Sequence, residues 1–184
     1  LKKLRRAVRQ EVWRQSVLDN RSRYYVGHLS LGMNPALREL VTGADLILAL
    51  GTRLGDVSTD SYALLEVPVP RQTLIHVHPD VGEIGRVYRP SIGVQADIAA
   101  TLTVLERLLP AGEQPWAEWT RSARQAHEAF SQPPQRMPEA EGVDLGFVMQ
   151  HASAELPDNA LVTNGAGNYS VWLHRFYTYR GSGP

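Results

Sequence analysis

The sequence predicts a three-layer α/β fold built on a parallel sheet, and three observations carry that prediction. Apolar runs without polar alternation recur at residues 46–50, 73–78 and 92–96, as strands buried on both faces require. Helix signals follow each run, so strand and helix alternate from Asn34 to Leu109. The composition, 43% hydrophobic and 21% charged with no cysteine, supplies a buried core and excludes a disulfide scaffold or a zinc finger.

The elements follow in order. Residues 1–23 hold eight Lys/Arg against two acids, whereas residues 24–109 hold six against nine, so the chain opens with a basic arm or helix. That arm is either a solvated face or a phosphate-binding one. In the next segment, 24–109, Asn34 caps a helix that Pro35 opens. Leu37, Leu40 and Val41 give this helix its apolar face, and Gly43 ends it. The run at 46–50 is the first strand of the sheet and 73–78 the second. Asp80 and Glu83 then have the spacing of a capping box, predicting a short helix. After the third strand at 92–96, Asp97 caps a helix whose Ile98, Leu102, Leu105 and Leu109 recur at helical spacing. Residues 110–142 read as a linker, broken by Pro110, Pro115, Pro133, Pro134 and Pro138. It contains one helix docked by Trp116, Trp119, Ala123, Ala126 and Phe130. Residues 143–184 open a second α/β unit: a helix over 144–156, a strand over 160–163 and the turn Asn164-Gly165-Ala166-Gly167-Asn168.

Charge narrows the function classes. Nineteen Lys+Arg balance nineteen Asp+Glu, so no general electrostatic attraction to nucleic acid or acidic membranes exists. No apolar run approaches the roughly 20 residues of a membrane helix. A soluble, cytoplasmic protein with small-molecule or protein partners is expected. The start at Leu1 and the ending Gly-Ser-Gly-Pro predict a piece of something longer.

Chemistry-bearing residues gather at strand ends. Gly51-Thr52-Arg53 directly follows a buried strand, where open α/β sheets bind ligands. A guanidinium there suits a diphosphate or a ring edge, or else a structural salt bridge to a neighbouring acid. His76 and His78 share a strand face with Asp80 nearby, but no third ligand has familiar spacing, so structural roles are expected and no metal site. Gly165, Gly167 and Asn168 have the form of a phosphate-cradling turn or of a tight packing turn. No Ser/His/Asp or paired-carboxylate arrangement follows from spacing, which leaves a nucleophilic hydrolase unsupported.

In sequence order, Gly27-His28-Leu29-Ser30-Leu31-Gly32-Met33-Asn34-Pro35, Ala44-Asp45-Leu46-Ile47-Leu48 with Gly51-Thr52-Arg53-Leu54, Ile75-His76-Val77-His78-Pro79-Asp80 with Glu83-Ile84-Gly85, and Ala96-Asp97 resemble the central domain of thiamine-diphosphate-dependent enzymes of the acetolactate synthase type. Residues 143–184, with Val162 to Tyr169 and Trp172, resemble the opening of the same family's C-terminal, diphosphate-binding domain. The resemblance implies a Rossmann-like parallel sheet in the central domain. For the parent protein it implies thiamine pyrophosphate and Mg2+ as cofactors, decarboxylation and carboligation of 2-keto acids (transferase or lyase chemistry), and a homodimer or homotetramer. It places a nucleotide crevice at Gly27, Gly51, Thr52, Arg53 and His78, and a diphosphate turn at Gly165, Gly167 and Asn168. The family's aminopyrimidine-activating Glu lies in an N-terminal domain, and its Gly-Asp-Gly magnesium motif lies further along the C-terminal domain. Gly55-Asp56-Val57 does not match that motif, so neither a catalytic residue nor a metal ligand is expected here and the chain alone should be inactive. Arg53 matches the Arg with which acetolactate synthases proper hold FAD. His76-Val77-His78-Pro79 stands where their acidic segment does, which speaks against FAD. Two other readings compete: a stand-alone NAD- or FAD-type nucleotide-binding module, and a structural spacer domain without ligand.

Overall fold

The computed structural model describes residues 8–11, 18–108, 116–133, 142–165 and 167–180. Along the chain the elements are β1 (Val8–Glu11), β2 (Tyr25–Leu29), α1 (Pro35–Thr42), β3 (Leu46–Leu50), β4 (Thr73–His78), β5 (Ile92–Gln95), α2 (Ile98–Leu108), α3 (Ala117–Phe130), α4 (Leu145–Glu155) and α5 (Ser170–Phe176). The chain divides into two compact units, residues 1–6 with 38–119 and residues 7–37 with 120–184. The division passes inside α1 and α3. Most of the basic arm, Leu109, the linker prolines Pro110, Pro115, Pro134 and Pro138, and Ala166 of the glycine turn lie outside the described residues.

The first unit contains the parallel sheet expected from the runs at 46–50, 73–78 and 92–96, whereas residues 24–37 of the expected central domain fall in the second unit. β3, β4 and β5 form a parallel sheet in that order, with Leu46 opposite Thr73, Leu50 opposite Val77 and His78 opposite Gln95. The strands can pair in parallel because each crossover, 51–72 and 79–91 with one 3₁₀ turn apiece, returns the chain to the same end of the sheet. Leu74 is fully buried, and Ala49, Val77, Leu64, Leu65 and Tyr88 of the same unit are nearly so. Gln72 ties the start of β4 to α1, its amide donating to the Thr42 carbonyl at 3.0 Å. Burial fades toward the edge: all residues of β5 are exposed and α2 buries none, so two-sided cover holds for the middle strand and not for the edge strand. Asp97 caps α2 as predicted, accepting from the Ala100 amide at 2.9 Å.

The predicted helix after β4 is one 3₁₀ turn, Val81–Glu83, and its capping box does not close. The Asp80 side chain accepts from the Gly82 amide at 2.8 Å, but the Asp80 amide donates to His78 Nδ1 at 3.0 Å. Glu83 is thereby free to turn toward arginines.

The second unit contains a pairing that the sequence did not reveal. Val8–Glu11, inside the expected basic arm, is a strand running parallel to β2. β2 is buried almost throughout, with Tyr25, Val26 and His28 nearly inaccessible. In this unit helix α3 buries Thr120 and Ala123 and makes several polar contacts. Arg124 Nη1 donates to the carbonyls of Asn20 (2.7 Å), Ser22 (3.2 Å) and Tyr25 (3.0 Å). The His127 ring stands edge-on to Tyr25 at 5.0 Å, and Asn34 donates to the Ala126 carbonyl at 3.1 Å. Helix α4 forms as predicted, with Asp144 accepting from the Gly146 amide at 2.8 Å. Residues 160–163 do not form the expected strand. No described strand runs beside them, Leu161 is exposed, and an isolated strand leaves its backbone groups to water.

Candidate functional site

At the carboxyl ends of β3 and β4 the chain turns back on itself. Gly51 adopts φ +67° while its amide still donates to the Val77 carbonyl at 2.9 Å. A side chain here would be strained by the backbone and would meet Ile98 at 3.1 Å. The next residue, Thr52, is braced from below. Its carbonyl accepts from His76 Nε2 at 2.8 Å and its hydroxyl accepts from the Leu54 amide at 3.0 Å. The bond to Thr52 sets the His76 tautomer with hydrogen on Nε2. Burial holds this ring below the usual histidine pKa, opposed by the Thr52 carbonyl. His78 stands edge-on to His76, ring centres 6.1 Å apart, and is tied to the Asp80 amide. His76 thus braces the turn after β3, and His78 holds the backbone that follows β4.

Arg53 is the residue on which two readings competed. Its side chain is 75% exposed and its Nε lies 3.6 Å from Glu83 Oε1, an atom that also receives Arg86 Nη1 at 3.1 Å. Glu83, read in the sequence only as a helix cap, is buried and takes two guanidinium groups. Nothing in its spacing could have shown this, because the partners converge only when the turns after β3 and β4 lie side by side. Arg53 and Arg86 thus share one carboxylate. With the arginine side so exposed, its pair with Glu83 is weak, about 0–1 kcal/mol.

The remaining candidates lie in the second unit. Gly27 sits in β2 at φ +107°, a backbone conformation that favours glycine, while a Cβ there would make only ordinary contacts with His127 at 3.4 Å and Leu37 at 3.5 Å. Gly165 and Gly167 precede α5, and the Tyr169 ring occupies the space where a side chain on either glycine would go. Asn168 is exposed. The Tyr169 side chain that lies against both glycines is itself exposed. Among the described residues no group of three His, Asp or Glu could hold a metal ion, and no helix is long and apolar enough to cross a membrane.

Comparison with known proteins assigns the family. The acetolactate synthase isozyme 1 large subunit of Escherichia coli is 30% identical over 136 residues, 73% of this chain and 23% of that protein. Acetolactate synthase 1 of Zea mays chloroplasts is 26% identical over 144 residues, covering 76% and 22% respectively. The E. coli isozyme 2 large subunit is 24% identical over 149 residues, covering 81% and 25%. The chain thus spans no more than about a quarter of the length of these relatives. The profile of the family described as "Thiamine pyrophosphate enzyme, central domain" matches residues 2–105, more than half of the chain. With that match and a parallel Rossmann-like sheet beneath it, the chain belongs to the thiamine pyrophosphate enzymes and carries their central domain.

Proposed function

We propose that these residues work within a thiamine-diphosphate- and Mg2+-dependent enzyme of the acetolactate synthase type, which decarboxylates a 2-keto acid and joins the remainder to a second carbonyl. The observation that carries this reading is the family match over residues 2–105. Acetolactate synthase subunits from bacteria and plants, similar over about three quarters of the chain, support it. Thiamine diphosphate supplies the electron sink for such chemistry. The residues of this chain supply scaffold: the sheet holds Gly51, Thr52, Arg53 and His78 at a ligand-binding edge, and Gly27, Gly165, Gly167 and Asn168 are assigned by family position. Catalytic residues and metal ligands are placed outside residues 1–184, and a cytoplasmic homodimer or homotetramer is the working form. The test is an assay of the longer protein containing this chain for CO2 release from pyruvate with thiamine diphosphate and Mg2+. Cofactor-dependent release supports the reading; none with pyruvate or 2-ketobutyrate overturns it.

A second reading, that the central domain is a ligand-free spacer, draws on one observation: Arg53 already has an internal partner in Glu83. Equilibrium dialysis of the chain against ADP and FAD separates the two. Binding that is lost in Arg53→Ala favours the nucleotide crevice, and no binding favours the spacer.

A further inference from the structure

Arg175, on α5, has a charge that the second unit does not neutralise. Its guanidinium carbon lies 3.8 Å from the centre of the Phe130 ring and 4.8 Å from that of Phe176. Its Nε donates to the Phe130 carbonyl at 2.7 Å. These contacts fix the plane of the fork and use one of its five N–H donors. Among the described residues no carboxylate pairs with it, and burial lowers its pKa from the usual arginine value.

The same side chain lines a cavity of about 330 Å³ within the second unit, a volume in the range of small-molecule sites. Two further cations reach this cavity, and each has its own acid: Arg124 pairs with Glu128 at 2.7 Å and Arg180 with Asp158 at 3.1 Å. Glu128 is the only carboxylate among the lining residues, so the cavity keeps a net positive charge centred on Arg175. Gln150, Ser131 and Ser153 line it with neutral hydrogen-bonding groups.

We propose that this cavity binds a small oxyanion, a carboxylate or a phosphate group, gripped by the preoriented fork of Arg175. The rings of Phe130 and Phe176 hold the guanidinium flat, so two parallel N–H donors can meet two oxygens without first ordering a flexible side chain. No part of the central-domain reading uses this cavity, and the inference stands apart from the keto-acid chemistry.

The test is a titration of the 15N-labelled chain at constant ionic strength with inorganic phosphate and, in a parallel arm, with acetate. The Arg175 Nε–Hε resonance, assigned by its loss in Arg175→Lys, is the readout. A saturable shift is expected, and Arg175→Gln should weaken binding by about tenfold or more, as the loss of a charge-assisted pair implies. Gln150→Trp, which fills the cavity from the exposed side of α4 and leaves the bonds of Arg175 intact, should weaken it as well. Saturation by phosphate alone identifies a phosphate ligand, and by acetate alone a carboxylate. Shifts that stay linear with both anions overturn the proposal, as does equal affinity in wild type and Gln150→Trp. Should Arg175→Gln fail to fold, the wild-type titration and Gln150→Trp still decide.

Discussion

Asp60, Ser61 and Tyr62 hold φ values of 53°, 55° and 65°, three consecutive non-glycine residues in the left-handed region. Each pays the steric cost of Cβ against the following carbonyl, about 1–2 kcal/mol per residue. The turn persists because its ends are fixed: the Ser61 amide donates to the Asp56 carbonyl at 2.8 Å and the Leu64 amide to the Thr59 carbonyl at 2.9 Å. Ser61→Gly should therefore raise stability by roughly 0.5–1 kcal/mol, relief of strain outweighing the extra entropy of unfolded glycine. A higher urea midpoint at unchanged slope is the expected result, and a lower midpoint contradicts it. His76 gives the opposite case, a buried side chain whose single hydrogen bond reaches the turn after β3. His76→Leu should cost about 1–2 kcal/mol by removing that bond within a desolvated site. His76→Gln, which keeps a donor, should recover part of the loss in the same denaturation experiment.

Three elements of the second unit each bring a histidine into low-polarity surroundings: β2 with His28, α3 with His127 and α5 with His174. The rings of His28 and His174 are 5.5 Å apart. Burial lowers the pKa of His28 to about 4, helped by His174. It lowers His127 to about 4, helped by the positive charge of Arg124, and it lowers His174 as well. All three are neutral in the folded unit at pH 7. Because the folded values lie below the unfolded 6.5, the unfolded chain takes up protons first as pH falls. Stability should be flat above about pH 6.5 and decline between pH 6.5 and 4, by on the order of 2–3 kcal/mol for each strongly shifted ring. Denaturant midpoints that stay constant from pH 7 to 4.5 would contradict this. These elements also mark where sequence reading succeeded and failed. β3, β4 and β5 were legible because their apolar runs and flanking caps are local signals. β1 and β2 were not, since Val8-Arg9-Gln10-Glu11 is largely polar and Gly27-His28 interrupts an apolar run; their pairing depends on long-range contact. The apolar run at 160–163 misled for the complementary reason, a strand-like segment with no described neighbour to pair with. Of the candidate site, the glycine and arginine after β3 were legible, while the role of Glu83 required the folded turns.

At the scale of the whole molecule, the chain reaches across about three quarters of its own length to acetolactate synthases but covers no more than about a quarter of theirs. Holding thiamine diphosphate takes three anchors in the family resemblance drawn above: a wall for the diphosphate, a magnesium ion on a Gly-Asp-Gly motif, and a Glu on the aminopyrimidine ring. That resemblance sets the first at Gly165, Gly167 and Asn168, where Tyr169 lies against both glycines, and sets the other two in parts of the family's chain outside residues 1–184. A diphosphate is strongly hydrated and needs its cation to leave water. Each missing charge-assisted contact is worth roughly 1.5–3 kcal/mol, so two together should weaken binding by about 10²–10⁴-fold. Calorimetric titration of the 184-residue chain with thiamine diphosphate and Mg2+ should accordingly show no micromolar binding, and pyruvate should release no CO2. A micromolar dissociation constant for the chain alone would mean that its own residues complete the cofactor site, and Tyr169→Ala would then show whether the glycine turn is where the diphosphate sits.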